Sequence, residues 1–248
     1  MPYHFVGDLD LTQTSSVADY ASAAHTVIDQ IVSRGRTPIV TGGTGLYLRA
    51  ALADLDFPGE VAPDVRAAVE RLVTTDLDAA VAELRRESPD DAARIDLRNP
   101  RRVGRALELA RSGTTRPARD QLWTETARHN TVLIGVTRPR PILDSMILAR
   151  VHRELGDGLV AELERAIDLP GVSRAALQII GAKEVLGVRA GQIEATDLPE
   201  LLAARTRKLA RAQLTWLRKT PSVTQLDLGM RPSIEACDSV RRLWKERT

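Results

Sequence analysis

Gly42-Gly43-Thr44 stands between a β-rich run, Thr37–Thr41, and a helix-forming run that begins near Gly45. Strand, glycine turn and helix in succession bring backbone N–H groups and a hydroxyl to the carboxyl edge of a parallel sheet. Gly42 and Gly43 permit positive φ and close approach of a ligand, and Thr44 is left with a hydroxyl at the mouth of the helix. The same residues also suit a plain turn with Thr44 as N-cap. Two groups of cations stand out. Arg98, Arg101, Arg102 and Arg105 fall at i, i+3, i+4 and i+7, opposite Val103, Ala106, Leu107 and Ala110. On a helix this is a stripe of four guanidinium groups, suited to phosphate or to the carboxylates of neighbouring helices. Residues 201–219 hold Arg205, Arg207, Lys208, Arg211, Arg218 and Lys219 and no acid. There Arg207, Arg211, Thr215 and Arg218 share a face, with Gln213 and Trp216 beside them. Cations interleaved with a hydroxyl, an amide and an indole fit an RNA backbone; alternatively Leu209, Leu214 and Trp216 are core and the charges a solvated face. In Gln178–Glu184, Gly181 interrupts an apolar helical run and marks a break or a close approach. Arg150, between Ile147 and Val151 on an amphipathic helix, reads by itself as a surface arginine.

The elements that position these residues follow from periodicity and punctuation. Residues 3–10 can form a short strand. Ser16 and Asp19 read as a capping box, with apolar residues at helical spacing from Val17 to Ile31 and Gly35 as the C-terminal stop. After Phe57-Pro58-Gly59 the chain reads as helices only: from Pro63 to Thr74, from Leu77 to Glu87 and from Arg98 to Arg111. Strand character returns over residues 131–136. Helical patterns follow over 141–169, broken at Gly156 and Gly158, then over 175–186 and 198–218. Residues 222–226 suit a last strand and 234–245 a last helix. This predicts an α/β core over residues 1–57 and 129–248 and a helical insertion over 58–128. A parallel sheet needs more than one central strand, and the αβα succession around Thr37–Thr41 begins abruptly.

The 248 residues, 43% hydrophobic and 27% charged, suit a globular chain of one large domain or one domain with an insertion. A net charge of +2 does not by itself imply nucleic acid, so the local basic clusters carry that reading. One cysteine, Cys237, excludes an internal disulfide and a cysteine zinc cluster. No apolar run is long enough to span a membrane, and the first residues lack the pattern of a signal peptide. A cytoplasmic monomer is the expectation.

Together the segments GGTGLYLRAAL (42–52), PDVRAAVE (63–70), RNPRRVGRALEL (98–109), LARV and GDGLVAELERA (148–166), QIIGAKE (178–184) and TRKLARAQLTWLRK (206–219) resemble the tRNA dimethylallyltransferases, also called tRNA isopentenyltransferases. The resemblance runs over nearly all of the chain. It implies transfer of a dimethylallyl group from dimethylallyl diphosphate to N6 of an adenosine beside the tRNA anticodon. The implied fold is a P-loop-NTPase-like parallel-sheet core with a helical insertion, the target base being flipped out to meet a diphosphate. By this resemblance Thr44 contacts the target nucleotide and Arg150 holds the diphosphate leaving group, which makes these two the expected catalytic residues. Arg66 touches the tRNA from the insertion. Pro100, Arg101, Arg102, Val103 and Gly104, and then Gln178, Gly181 and Lys183, line the RNA path. Arg211, Gln213, Thr215, Trp216 and Arg218 run along it. The anticodon stem-loop is the implied partner and Mg²⁺ the implied cofactor.

The sequence departs from the family where Ala182 replaces a tyrosine and Ala212 a basic residue. The larger departure is at the start. The family opens with a phosphate loop, G-x-x-x-x-G-K-[ST], followed by an acidic base, and nothing in residues 1–30 matches either. Tyr3-His4 aligns after those elements, so about two βα units, on the order of 60 residues, are expected to be missing. Without phosphate loop and base the chain is expected to be inactive; the alternative is a non-catalytic RNA-binding remnant.

Overall fold

The computed structural model describes residues 2–114 and 124–247. The chain divides into two compact units, Met1–Asp54 with Trp123–Thr248, and Leu55–Leu122. The division falls a few residues before the boundaries that composition suggests.

The first unit is built on helices around a small sheet. Helix α1, Val17–Ser33, opens as its sequence requires: Ser16 Oγ accepts from the Asp19 N–H, and the Asp19 carboxylate accepts from the Ser16 N–H. The Ser16 N–H and then the Ser16 hydroxyl, both donating to the carboxylate, hold the Asp19 carboxyl below its usual range. The helix ends at Gly35, whose φ of 66° lets the Gly35 and Arg36 N–H groups return to Val32 and Ile31 carbonyls. Helix α2, Gly45–Leu52, packs on α1 through Ala24, Ile28 and Ala51.

The expected strand over Thr37–Thr41 is corrected. The segment joins no ladder among the described residues. Val40 packs against the α1–α2 core while Ile39 stays 67% exposed. Residues 3–10 likewise run through bends, not a strand. Period-two patterning marks the faces of an extended segment, but a strand exists only where a neighbour supplies the other half of its hydrogen bonds.

Two strands do pair in parallel among the described residues. Strand β1, Ile134–Thr137, lies beside β2, Thr224–Asp227, with Ile134 opposite Thr224. A parallel pair needs a long crossover, and four helices supply it. These are α7 (Arg140–Gly156), α8 (Leu159–Ile167), α9 (Ala182–Arg189) and α10 (Leu198–Lys219). Gly158, at φ 97°, separates α7 from α8. Helices α7 and α10 share a core of Ile147, Val151, Leu202 and Ala203. After β2 the described chain ends in α11, Ala236–Arg247.

The segment before β1 is tied to α1 and to the end of α2. Arg128 pairs with Asp29 at 2.8 Å and Asp54 at 2.6 Å, and His129 Nε2 lies 2.7 Å from Asp29. The His129 hydrogen bond chiefly, with the Arg128 charge, pulls the Asp29 carboxyl below its usual range.

The second unit is all helical among its described residues. It contains α3 (Pro63–Thr75), α4 (Leu77–Glu87), α5 (Pro89–Arg94) and α6 (Pro100–Arg111). Its core is Val69, Ala80, Val81, Leu84, Ala92, Val103, Ala106 and Leu107. Prolines begin α3, α5 and α6 where their missing N–H costs nothing, and Asn99 caps α6 by accepting from the Arg101 and Arg102 N–H groups. Among the described residues no helix is long and apolar enough to cross a membrane.

Candidate functional site

Thr44 occupies the N-cap position of α2, yet its side chain makes no capping hydrogen bond. Its hydroxyl is therefore free for another partner among the described residues. The glycines on either side are fixed by helix α10. A Cβ on Gly43 would collide with the Gln213 amide, and one on Gly45 with the Trp216 indole. The turn thus needs glycine because α10 presses against it. Thr44 stands between the two contacts.

Gln213 has a second neighbourhood. It lines a groove of about 510 Å³ between α7 and α10, together with Met146, Arg150, Arg153 and Leu209. Arg150 is 68% exposed and ion-paired along its helix to Glu154 at 2.7 Å. Arg153, one turn on, forms no ion pair among the described residues and adds a second cation to the groove. Sequence reasoning passed over Arg153, although its i, i+3 spacing from Arg150 was a usable signal. Through Gln213 the Thr44 turn and the Arg150 groove are contiguous.

Helix α9 begins where the sequence places Gly181. Residues 175–186 are not one helix, as their pattern suggests. A short 3₁₀ turn, Ala176–Gln178, stops at a Gly181 with φ of 107°, and α9 then runs to Arg189. A Cβ at Gly181 would stand 2.6 Å from Leu163 Cδ1. The turn is closed by Glu184, whose buried carboxylate accepts the Gly181 N–H at 3.1 Å and Arg205 Nη1 at 2.9 and 3.0 Å. Gln178 and Lys183 flank this turn on the exposed side.

The reading of α10 as a stripe without counter-charge is corrected in part. Arg205 is held by Glu184, and Arg207 reaches Glu200 at 3.5 Å. Arg211 and Arg218 remain exposed and pair with no carboxylate among the described residues. Thr215 is exposed too, with its hydroxyl donating to the Arg211 carbonyl. The available cationic face is shorter than the sequence suggests and lies toward the carboxyl end of the helix.

In the helical unit the four-arginine stripe is also corrected. Arg98 precedes the Asn99 cap and pairs with Asp96, and Arg105 pairs with Glu108 at 3.0 Å. Arg101 and Arg102 are exposed in the first turn of α6, and Arg66 is exposed on α3, while Pro100 opens α6. Val103 is wholly buried, so its side chain belongs to the core and has no surface to offer RNA. Gly104 packs on Val69 and Val73.

A family model described as IPP transferase matches residues 1–220. The chain belongs to the IPP transferase family. Its relatives in that family include the tRNA dimethylallyltransferase of Thermobifida fusca, 39% identical over 226 residues that cover 90% of this chain and 70% of that protein. The enzyme of the same name from Kineococcus radiotolerans is 38% identical with the same coverage. Among solved structures the fold matches the full-length tRNA isopentenylpyrophosphate transferase of Bacillus halodurans, with TM-score 0.69 and 28% identity over 99% of this chain and 78% of that one. The tRNA isopentenylpyrophosphate transferase of Staphylococcus epidermidis gives 0.67 and 27%, covering 100% and 82%. The family is therefore one of transferases, and the small parallel sheet with many helices is its architecture.

The family resemblance implies Mg²⁺. Among the described residues no three His, Cys, Asp or Glu side chains converge to hold a metal. No ligand for the ion is assigned among these residues, and no step runs through it.

Proposed function

We propose that this chain carries the tRNA-facing surface, and the cationic part of the diphosphate site, of a tRNA dimethylallyltransferase. In the reaction, adenosine N6 attacks C1 of dimethylallyl diphosphate, the C–O bond breaks, diphosphate departs and N6 gives up a proton. The observation that carries the proposal is the seating of α10 on the Gly43–Gly45 turn. It brings a free threonine hydroxyl, an amide and an indole together beside a groove with two arginines.

In this reading Thr44 and Gln213 meet the extruded adenosine, and Trp216 braces the turn. Arg150 and Arg153 stabilise the departing diphosphate, a service strongest when its charge is developing. Arg211, Thr215 and Arg218 supply backbone contacts along α10, with Gln178, Gly181 and Lys183 at the neighbouring turn. Arg66, Pro100, Arg101, Arg102 and the Gly104 backbone are the tRNA contacts of the helical unit. The P-loop-like character of the core belongs to the same proposal. Dimethylallyl diphosphate and the anticodon stem-loop are its substrates, and Mg²⁺ would accompany the diphosphate without an assigned ligand among these residues.

A second reading is that these 248 residues, taken alone, bind RNA without catalysing. It is favoured by one observation: the 248 residues contain no G-x-x-x-x-G-K-[ST] segment.

Salt titration of unmodified-tRNA binding tests the RNA part of both readings. Each phosphate contact contributes about 0.7–0.9 to the slope of log K against log salt. Arg211→Ala should weaken binding to all tRNA sequences alike and flatten that slope by about one contact. Unchanged affinity and slope would remove α10 from the RNA surface.

A further inference from the structure

Arg49 is a buried cation with no counter-ion among the described residues. It is 4% exposed, and its pairing is limited to one nitrogen: Nη2 donates to Thr124 Oγ1 and to the Thr126 carbonyl, both at 3.1 Å. Its Nε is buried and has no hydrogen-bond partner. No carboxylate among the described residues forms an ion pair with it, and burial pulls the guanidinium below its ordinary pKa. Buried charges are normally paired, and a buried donor left unsatisfied calls for a group that completes it.

The side chain lines a cavity of about 430 Å³ at the amino ends of β1 and β2, between the close of α2 and residues 124–131. A water's share of liquid volume is about 30 Å³, so the space suits more than one solvent molecule. Thr124, Asn130 and Ser222 add polar groups to the wall. The other basic groups there are already engaged. Arg128 is neutralised by Asp29 and Asp54, and His129 lies against Asp29. The Glu125 carboxylate accepts from Ser222 Oγ at 2.5 Å and makes no ion pair. Two unpaired charges therefore line the cavity: the guanidinium of the buried Arg49 and the carboxylate of the exposed Glu125, which solvent screens.

We propose that this cavity binds a small oxyanion, the phosphate or carboxylate group of a small molecule, through the Arg49 guanidinium. With Nη2 given to Thr124 and Thr126, the donors left for an oxyanion are those of Nη1 and Nε. The site lies at the amino ends of the strands, a full helical turn along α2 from Thr44. It does not depend on the tRNA reading.

Calorimetric titration of the 248-residue chain with inorganic phosphate and with acetate, at constant ionic strength, tests it. One saturable site for either anion is expected, weakened at least tenfold in Arg49→Met. Tighter phosphate would identify a phosphorylated ligand and tighter acetate a carboxylate. Amide chemical-shift changes in the unaltered protein keep the test independent of how well the variant folds. They should centre on Thr126 and Ser222, not on the basic face around Arg211. Absence of saturable binding, equal binding by a folded Arg49→Met, or shifts centred on α10 would each overturn the proposal.

Discussion

At the scale of single residues, the burial of a charge separates two arginines that the sequence presents as equals. Arg205 and Arg211 lie six residues apart on one basic helix. Arg205 is spent on the buried Glu184, whereas Arg211 is exposed and unpaired among the described residues. Arg205→Ala should therefore destabilise the fold by about 2–3 kcal/mol, less than a fully buried pair because the guanidinium is partly solvated. It should leave the salt slope of tRNA binding unchanged, the opposite of Arg211→Ala. Urea denaturation beside the salt titration distinguishes them. Arg150 calls for a third outcome. Its only partner among the described residues is Glu154 on the same helix, a pairing worth about 0.3–0.5 kcal/mol, so Arg150→Ala should fold normally. Measured in a form of the protein that carries a phosphate loop, the loss should fall on kcat and leave tRNA affinity nearly intact, provided chemistry limits the rate. Normal kcat with weakened tRNA binding would place Arg150 on the RNA surface instead.

At the scale of elements, legibility tracks how local the governing interaction is. The α1 cap, the proline start of α3 and the break at Gly158 are set within a few residues, and the sequence discloses them. The segment Thr37–Thr41 failed as a strand because its hydrogen-bond partners are a matter of neighbours. The Glu184–Arg205 pair spans 21 positions and joins two helices, so local spacing could not reveal that part of the α10 stripe is neutralised. Arg98 failed as a member of the α6 stripe because Asn99, not spacing, decides where that helix begins. Gly181 was legible as a break, but its reason lies in packing: positive φ and the close Leu163 side chain act together. Gly181→Ala meets both, so a loss of about 1–3 kcal/mol in stability is expected, readable as a lower urea midpoint. An unchanged midpoint would mean that the turn relaxes freely and does not fix α9.

For the whole molecule the decisive matter is what chemistry these 248 residues contain. The family and the fold are shown by likeness along the chain, and the groups proposed to face RNA sit on well-packed helices. Prenyl transfer asks for more. The departing diphosphate must be held by several preorganised donors, and the adenosine amine must lose a proton to a positioned base. Arg150 and Arg153 are cations on an open groove, and Thr44 offers one hydroxyl. No phosphate-loop lysine or cradle of loop N–H groups is encoded in the sequence. Loss of one preorganised donor at a developing anion costs about 10²–10³ in rate, and a general base is worth roughly 10²–10⁴. With several such contributions absent together, the 248 residues alone are expected to bind unmodified tRNA but not to prenylate it. The measurement is incorporation of labelled dimethylallyl groups into that tRNA, beside a version of the protein that carries a G-x-x-x-x-G-K-[ST] loop and an acidic base ahead of these residues. Turnover by the 248 residues comparable with the longer form would defeat the prediction. The base and the diphosphate donors would then have to be sought among the residues described above, beginning with the carboxylate of Glu154 beside Arg150.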